Sequence, residues 1–183
     1  MKQKAIKTKS TKKHAKKATI KKTCDNSVFI DMNKEDFDAI LYGPVNKLYR
    51  TISDDTAKQF LKQEEVDGEL QLMYDPNLVS EEQRALYGVD LCYYNNGKFP
   101  FIPKDLELLD LIGHYNRRWD IMTIRVKNIS FEPMKDEEGR SLRFSYNQEG
   151  DFVKDENGKL TVWLIVFHLG KIERKHLMIN EVF

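Results

Sequence analysis

The residues best suited to chemistry in this 183-residue chain are cationic and aromatic rather than nucleophilic. Residues 1–23 hold ten lysines and no acid, with Lys12, Lys13, Lys16, Lys17, Lys21 and Lys22 the densest group. Such a segment can neutralise several phosphates and release their counterions without reading sequence. The plainer reading is a tail that only keeps the chain in solution. A second cluster, His114-Tyr115-Asn116-Arg117-Arg118-Trp119, sets aromatic faces beside guanidinium groups. Aromatic faces stack on unpaired bases and arginines grip phosphate. Its plainer reading is a hairpin loop whose Trp119 covers the edge of the core. Catalytic groups do not gather in this way. His114, His168, His176 and Cys92 lack metal-ligand spacing. There is no glycine-rich phosphate loop and no G-x-S-x-G elbow. The carboxylates are scattered, so no acid–base pair stands out. The sequence therefore assigns no catalytic residue, metal or cofactor, and leans away from an enzyme. Tyr93, Tyr94, Phe99 and Phe101 could form a stacking platform, but core packing explains them more simply. His168, inside an apolar run, reads as a hydrogen-bonded core histidine.

Charge divides the chain. The net +1 hides a +10 segment tethered to a remainder in which 20 basic residues face 29 acidic ones, a charge of −9. The lysine-rich part has too few apolar groups to offset the entropy of ordering. Residues 1–26 are expected to form a disordered tail and 27–183 a single domain. Two cysteines make no disulfide framework, which fits a reducing, cytoplasmic setting. No secretory signal and no membrane-spanning apolar run is present, so no membrane partner is expected.

The elements follow from periodicity. Val28, Ile30 and Met32 alternate as a strand. Asn33 caps a helix with Phe37, Ile40 and Leu41 on one face, ended by Gly43. Val45 to Ile52 reads as a second strand. Ser53 caps a second helix, with Ala57, Phe60 and Leu61 inward, that stops by Gly68. A short strand near Leu70, a brief capping-box helix from Ser80, and a hairpin joining Leu91–Tyr94 to Phe99–Ile102 follow. Leu106–Ile112 and Ile121–Phe131 read as strands, and 133–159 as a mobile loop or exposed hairpin. Leu160–Leu169 has the composition of a central buried strand, and Lys171–Met178 is a last extended piece. Six to eight strands with two or three helices predict an α+β fold, a curled or closed β-barrel with the helices packed at its side.

Three stretches together resemble the ASCH family, a branch of the PUA-like superfamily. They are Phe29-Ile30-Asp31-Met32 through Phe37-Asp38-Ala39-Ile40-Leu41-Tyr42-Gly43, then Tyr49-Arg50, then the pair Met122–Ile129 and Val166-Phe167-His168-Leu169-Gly170-Lys171-Ile172. The resemblance covers most of 28–176, with insertions near 75–105 and 133–159. It implies a PUA-like barrel with a cleft between the first helices and the sheet, and association with RNA. Arg50 would point into that cleft, with Tyr49 and Lys47 beside it, and the Tyr115–Trp119 loop would lie near the cleft. An arginine paired with one of the many carboxylates is the plainer alternative for Arg50. Some ASCH proteins hydrolyse acetylated cytidine with a motif lysine and a carboxylate. Here Val45 stands at the lysine position and Leu48 at the glutamate position, so that activity does not carry over.

The expected function is therefore nucleic-acid binding, RNA first. The tail would supply non-specific phosphate contact, and the cleft would hold a nucleotide or short single strand. The partner would be RNA or another polyanion. Two rival readings stand beside it. One is a small nucleoside-modifying hydrolase of ASCH type. The other is an accessory protein of a phage or mobile element that binds another protein.

Overall fold

The computed structural model describes residues 27–78, 99–115 and 118–177. The lysine-rich segment, the brief helix expected from Ser80 and the Leu91–Tyr94 arm of the expected hairpin lie outside these residues.

Local sequence accounts for the first half. Strand β1 (Ser27–Asn33) alternates buried Ile30 and Met32 with exposed Phe29 and Asp31. Asn33 then caps helix α1 (Lys34–Tyr42), accepting the Asp36 amide at 2.7 Å. Phe37 and Ile40 are the buried stripe. The helix ends at Gly43 as expected, although with extended backbone (φ −100°) rather than a left-handed cap. Glycine is needed there for space: a Cβ would stand 2.4 Å from the Ala39 carbonyl oxygen. Strand β2 (Lys47–Thr51) leads to helix α2 (Asp54–Phe60). Its cap is reciprocal, with the Ser53 amide donating to Thr56 Oγ1 at 2.8 Å and the Thr56 amide donating back to Ser53 Oγ at 3.4 Å. Ser53→Ala is expected to cost about 1 kcal/mol. A urea midpoint unchanged by the substitution would contradict the cap's contribution.

Helix α2 is shorter than expected. It stops at Phe60, and the chain turns at once into a hairpin of β3 (Gln63–Val66) and β4 (Glu69–Leu72). Asp67 (φ 53°) and Gly68 (φ 83°) form the turn, the pairing of left-handed residues that a tight two-residue hairpin requires. Tyr74 bridges Phe101, and the Lys62 amide donates to Ile102 O, so residues 99–103 join this small annex.

The main sheet has five strands in the order β1-β5-β6-β9-β2, where β5 is Leu108–Tyr115, β6 Arg118–Pro133 and β9 Trp163–His176. Only β1 and β5 run parallel. Between β6 and β9 lies an arm with the small hairpin β7 (Phe144–Tyr146) and β8 (Phe152–Lys154), the exposed-hairpin alternative for this region. The long strands β6 and β9 change register three times between Thr123 and Asn128. Each irregularity bends and twists the pair, and the sheet is strongly curled into a half-barrel. The fold is mostly β, with two short helices among the described residues.

The helices close the open side. Gln59 Nε2 of α2 donates to Phe29 O on the outer edge of β1 at 3.0 Å. Phe60 meets Phe167 of β9 edge-on at 5.3 Å. Lys34 ties the start of α1 to β6, bonding Asp38 at 2.7 Å and Asp120 at 3.0 Å. Inside, Leu109, Leu111, Met122, Ile165 and Phe167 are fully buried. Phe99 and Phe101 join this core, with Phe99 4.2 Å from Phe131 between ring centres. No helix among the described residues is long and apolar enough to cross a membrane.

Candidate functional site

Strand β2 places the first candidate residues. Its alternation sends Leu48 and, just past its end, Ile52 into the core. Arg50 lies between them in sequence and therefore on the same face. Its guanidinium is half-buried, and loss of hydration is the main influence lowering its pKa, opposed by the Asp36 carboxylate. Nη1 donates to the Tyr49 carbonyl at 2.9 Å. No ion pair joins Arg50 to a carboxylate among the described residues. Tyr49 points the other way and is 42% exposed. Lys47 shares that outer face and pairs with Glu132 at 3.5 Å.

The second cluster forms the tip of the β5–β6 hairpin. Tyr115 and Arg118 are the last paired positions, and His114 pairs with Trp119. Positions 116 and 117, and the side chains of 115 and 118, lie outside the described residues. Trp119 is 56% exposed. His114 Nε2 is 3.0 Å from Asp31 Oδ1.

Register separates these two groups. Arg50 pairs with Ile165, and Ile165 pairs with Phe131 of β6. Trp119 lies at the other end of β6, a contour of roughly 40 Å along that strand, although α1 spans part of the gap, its Lys34 bonding Asp120 and its Asp36 acting on Arg50. No described contact brings Arg50 and Trp119 together. The tail lysines Lys12, Lys13, Lys16, Lys17, Lys21 and Lys22 lie outside the described residues.

No protein-family model, curated protein or solved structure matches this chain.

A cleft of about 620 Å³ opens between α2 and the β3–β4 hairpin, with Ala57, Lys58, Leu70, Leu72, Tyr74 and Phe101 in its wall. A smaller one of about 260 Å³ lies in the arm, between Arg140, Arg143, Lys154 and Glu156. Arg50 lines neither. His168 is half-buried, with Nε2 2.9 Å from Ser130 Oγ. Among the described residues no three His, Cys, Asp or Glu side chains gather as a metal site.

One partner of Arg50 was missed by the sequence reading. Asp36, in the first turn of α1, reaches Arg50 electrostatically. The Asn33 cap already placed Asp36 in that turn. What the sequence lacked was the tertiary placement that brings Asp36 within electrostatic reach of Arg50.

Proposed function

We propose that this chain is a nucleic-acid-binding module, with single-stranded RNA its favoured partner. The observation that carries the reading is Arg50. In a chain whose residues beyond 23 hold 29 acids against 20 bases, a half-buried guanidinium that makes no ion pair among the described residues, with the Asp36 carboxylate acting on it only at longer range, suits an anionic ligand. Partial dehydration strengthens the charge-assisted hydrogen bonds it can offer to phosphate. Tyr49, exposed on the opposite face of β2, does not share this contact. The lysine tail supplies the long-range attraction that an acidic body lacks.

A curled sheet with α1 and α2 across its open side accords with the ASCH-like, PUA-like barrel, which belongs to this proposal. The hydrolase alternative finds little support on β2. Leu48, at the motif glutamate position, is buried in the core, and Val45, at the lysine position, is 41% exposed.

The test is fluorescence polarisation of a labelled single-stranded oligoribonucleotide against the full chain. Arg50→Ala is expected to weaken binding about tenfold or more, from the loss of charged hydrogen bonds. Arg50→Lys should recover only part, because an ammonium cannot reproduce the guanidinium fork. Equal affinity of wild type and Arg50→Ala would remove Arg50 from the interface.

A further inference from the structure

We propose that single-stranded RNA also runs along the outward face of β6 and β9, held by Lys127, Lys171 and Arg174 and stacked on Trp119. This rests on the nucleic-acid reading and gives it a second contact surface, away from Arg50.

The face follows from parity and register. Met122 and Ile124 of β6 face the core, so Trp119, Ile121, Thr123 and Arg125 lie on the opposite side, where Trp119 and Arg125 are exposed, Ile121 is half-buried and Thr123 is covered by its neighbours. Thr123 pairs with Arg174, and Ile121 with His176, which puts both β9 residues on that same side. The irregularities add two more cations. Between the pairs Ile124–Ile172 and Val126–Leu169, β9 carries an extra residue. Between Val126–Leu169 and Asn128–His168, β6 carries one. Lys171 and Lys127 fall in these stretches, and both are exposed. Gly170 makes the crowding possible: a Cβ there would stand 3.3 Å from Lys127 Cγ and 3.4 Å from Arg125 Cβ.

The charges are only partly used internally, Lys171 acting on Glu173 without closing an ion pair. Arg125 is neutralised by Glu173 at 2.9 Å. Lys127, Lys171 and Arg174 form no ion pair among the described residues, whereas Lys34, Lys47, Lys62 and Arg140 each do. The acids on this side are mostly engaged. Glu173 is held by Arg125, Asp110 accepts the Thr123 hydroxyl, Asp31 meets His114 at 3.0 Å, and Glu107 lies within electrostatic reach of Arg125. From Trp119 to Lys127 the strand spans about 26 Å, enough for several nucleotides. An exposed indole at one end of a cationic strip is the arrangement that binds single strands without reading sequence.

A plainer role exists for part of this strip. Among the described residues, β9 beyond Leu169 has β6 on one side only, and charged side chains on an open edge resist strand addition. That role needs neither Lys127, which lies on β6 and not on the open edge of β9, nor an exposed Trp119.

The experiment uses the full chain and an oligouridylate across a salt series. The variant Lys127→Gln/Lys171→Gln/Arg174→Gln is expected to bind about 10–100-fold more weakly near physiological salt, with a log–log salt slope shallower by about 2. Lys127→Gln alone, which leaves the open edge of β9 intact, should lose about a third of that slope change. The oligonucleotide should quench the fluorescence of Trp119 while leaving that of Trp163, only 4% exposed, in place. Trp119→Phe should remove the quenching and keep the slope. Wild-type slope and affinity in the triple variant, with Arg50→Ala still weakened, would overturn this surface and leave the module reading intact. Failure of the wild-type chain to bind at all would overturn both.

Discussion

Replacing Lys12, Lys13, Lys16, Lys17, Lys21 and Lys22 with glutamine in the full chain is expected to weaken binding of single-stranded RNA about a thousandfold near physiological salt. Each lysine that meets a phosphate releases condensed counterions, and for single strands the log–log salt slope changes by about 0.7 per contact. Six contacts therefore remove about 4 from the slope. The remaining residues make this loss sharper. With the tail neutralised, the charge of −9 beyond residue 23 is no longer offset. Over the roughly 8 Å that charge reaches at physiological ionic strength, an incoming phosphate then meets net repulsion except at cationic strips. Polarisation titrations over a salt series measure both quantities at once. A slope equal to that of the wild type would show that these lysines do not touch the nucleic acid. The tail and the β6–β9 strip are far apart in sequence and share no side chain, so their slope changes should add.

Much of the fold was legible because its first elements carry local instructions. Asn33 and Ser53 each cap the helix they precede, and Phe37, Ile40, Ala57 and Phe60 fall on the expected buried faces. The apolar run from Leu160 to Leu169 marked the strand that β6 and β2 flank. The end of α2 was misjudged because Lys62-Gln63-Glu64-Glu65 has ordinary helix propensity. Tertiary pairing wins there: Leu61 bridges Pro103, and Gln63 pairs with Leu72. The Asp67-Gly68 dipeptide was the available signal for a hairpin and outweighs propensity where strands flank it.

The candidate site was less legible, for a geometric reason. Residue types told which groups could meet phosphate or bases, but not which of them share a face or an end. Tyr49, Arg50 and the 115–119 cluster were grouped by chemistry, while strand order puts them at opposite ends of β6. Lys127, Lys171 and Arg174 drew no notice because their grouping depends on the irregular register of two strands forty residues apart. A bulge needs its partner strand to be defined, and no local pattern announces one.

Gly113→Ala is expected to destabilise the fold by about 1–3 kcal/mol, the range for forcing an extra methyl group into a packed core. Gly113 lies on β5 directly beneath α1. A Cβ built there would stand 2.6 Å from Phe37 Cγ and 2.9 Å from Phe37 Cβ. These are the root of the side chain and not its far end, so a rotamer change cannot clear them. Phe37 is fully buried, and α1 itself must lift from the sheet. Gly139 serves as the control. Unlike Gly113 it has positive φ, at 80°, and no atom within 4 Å, so alanine there meets only backbone strain of about 1–2 kcal/mol. The decisive measurement is a double-mutant cycle in urea. Phe37→Ala removes the Cγ and Cδ2 atoms at 2.6 and 2.8 Å and leaves only the Cβ contact, so the pair should cost less than the sum of the two single changes. Strict additivity would refute the steric account. The change also bears on binding, because α1 carries the Asp36 carboxylate that acts on Arg50. Lifting α1 should therefore alter RNA affinity in the same direction as Arg50→Ala, by a smaller factor, at temperatures where the variant is still folded.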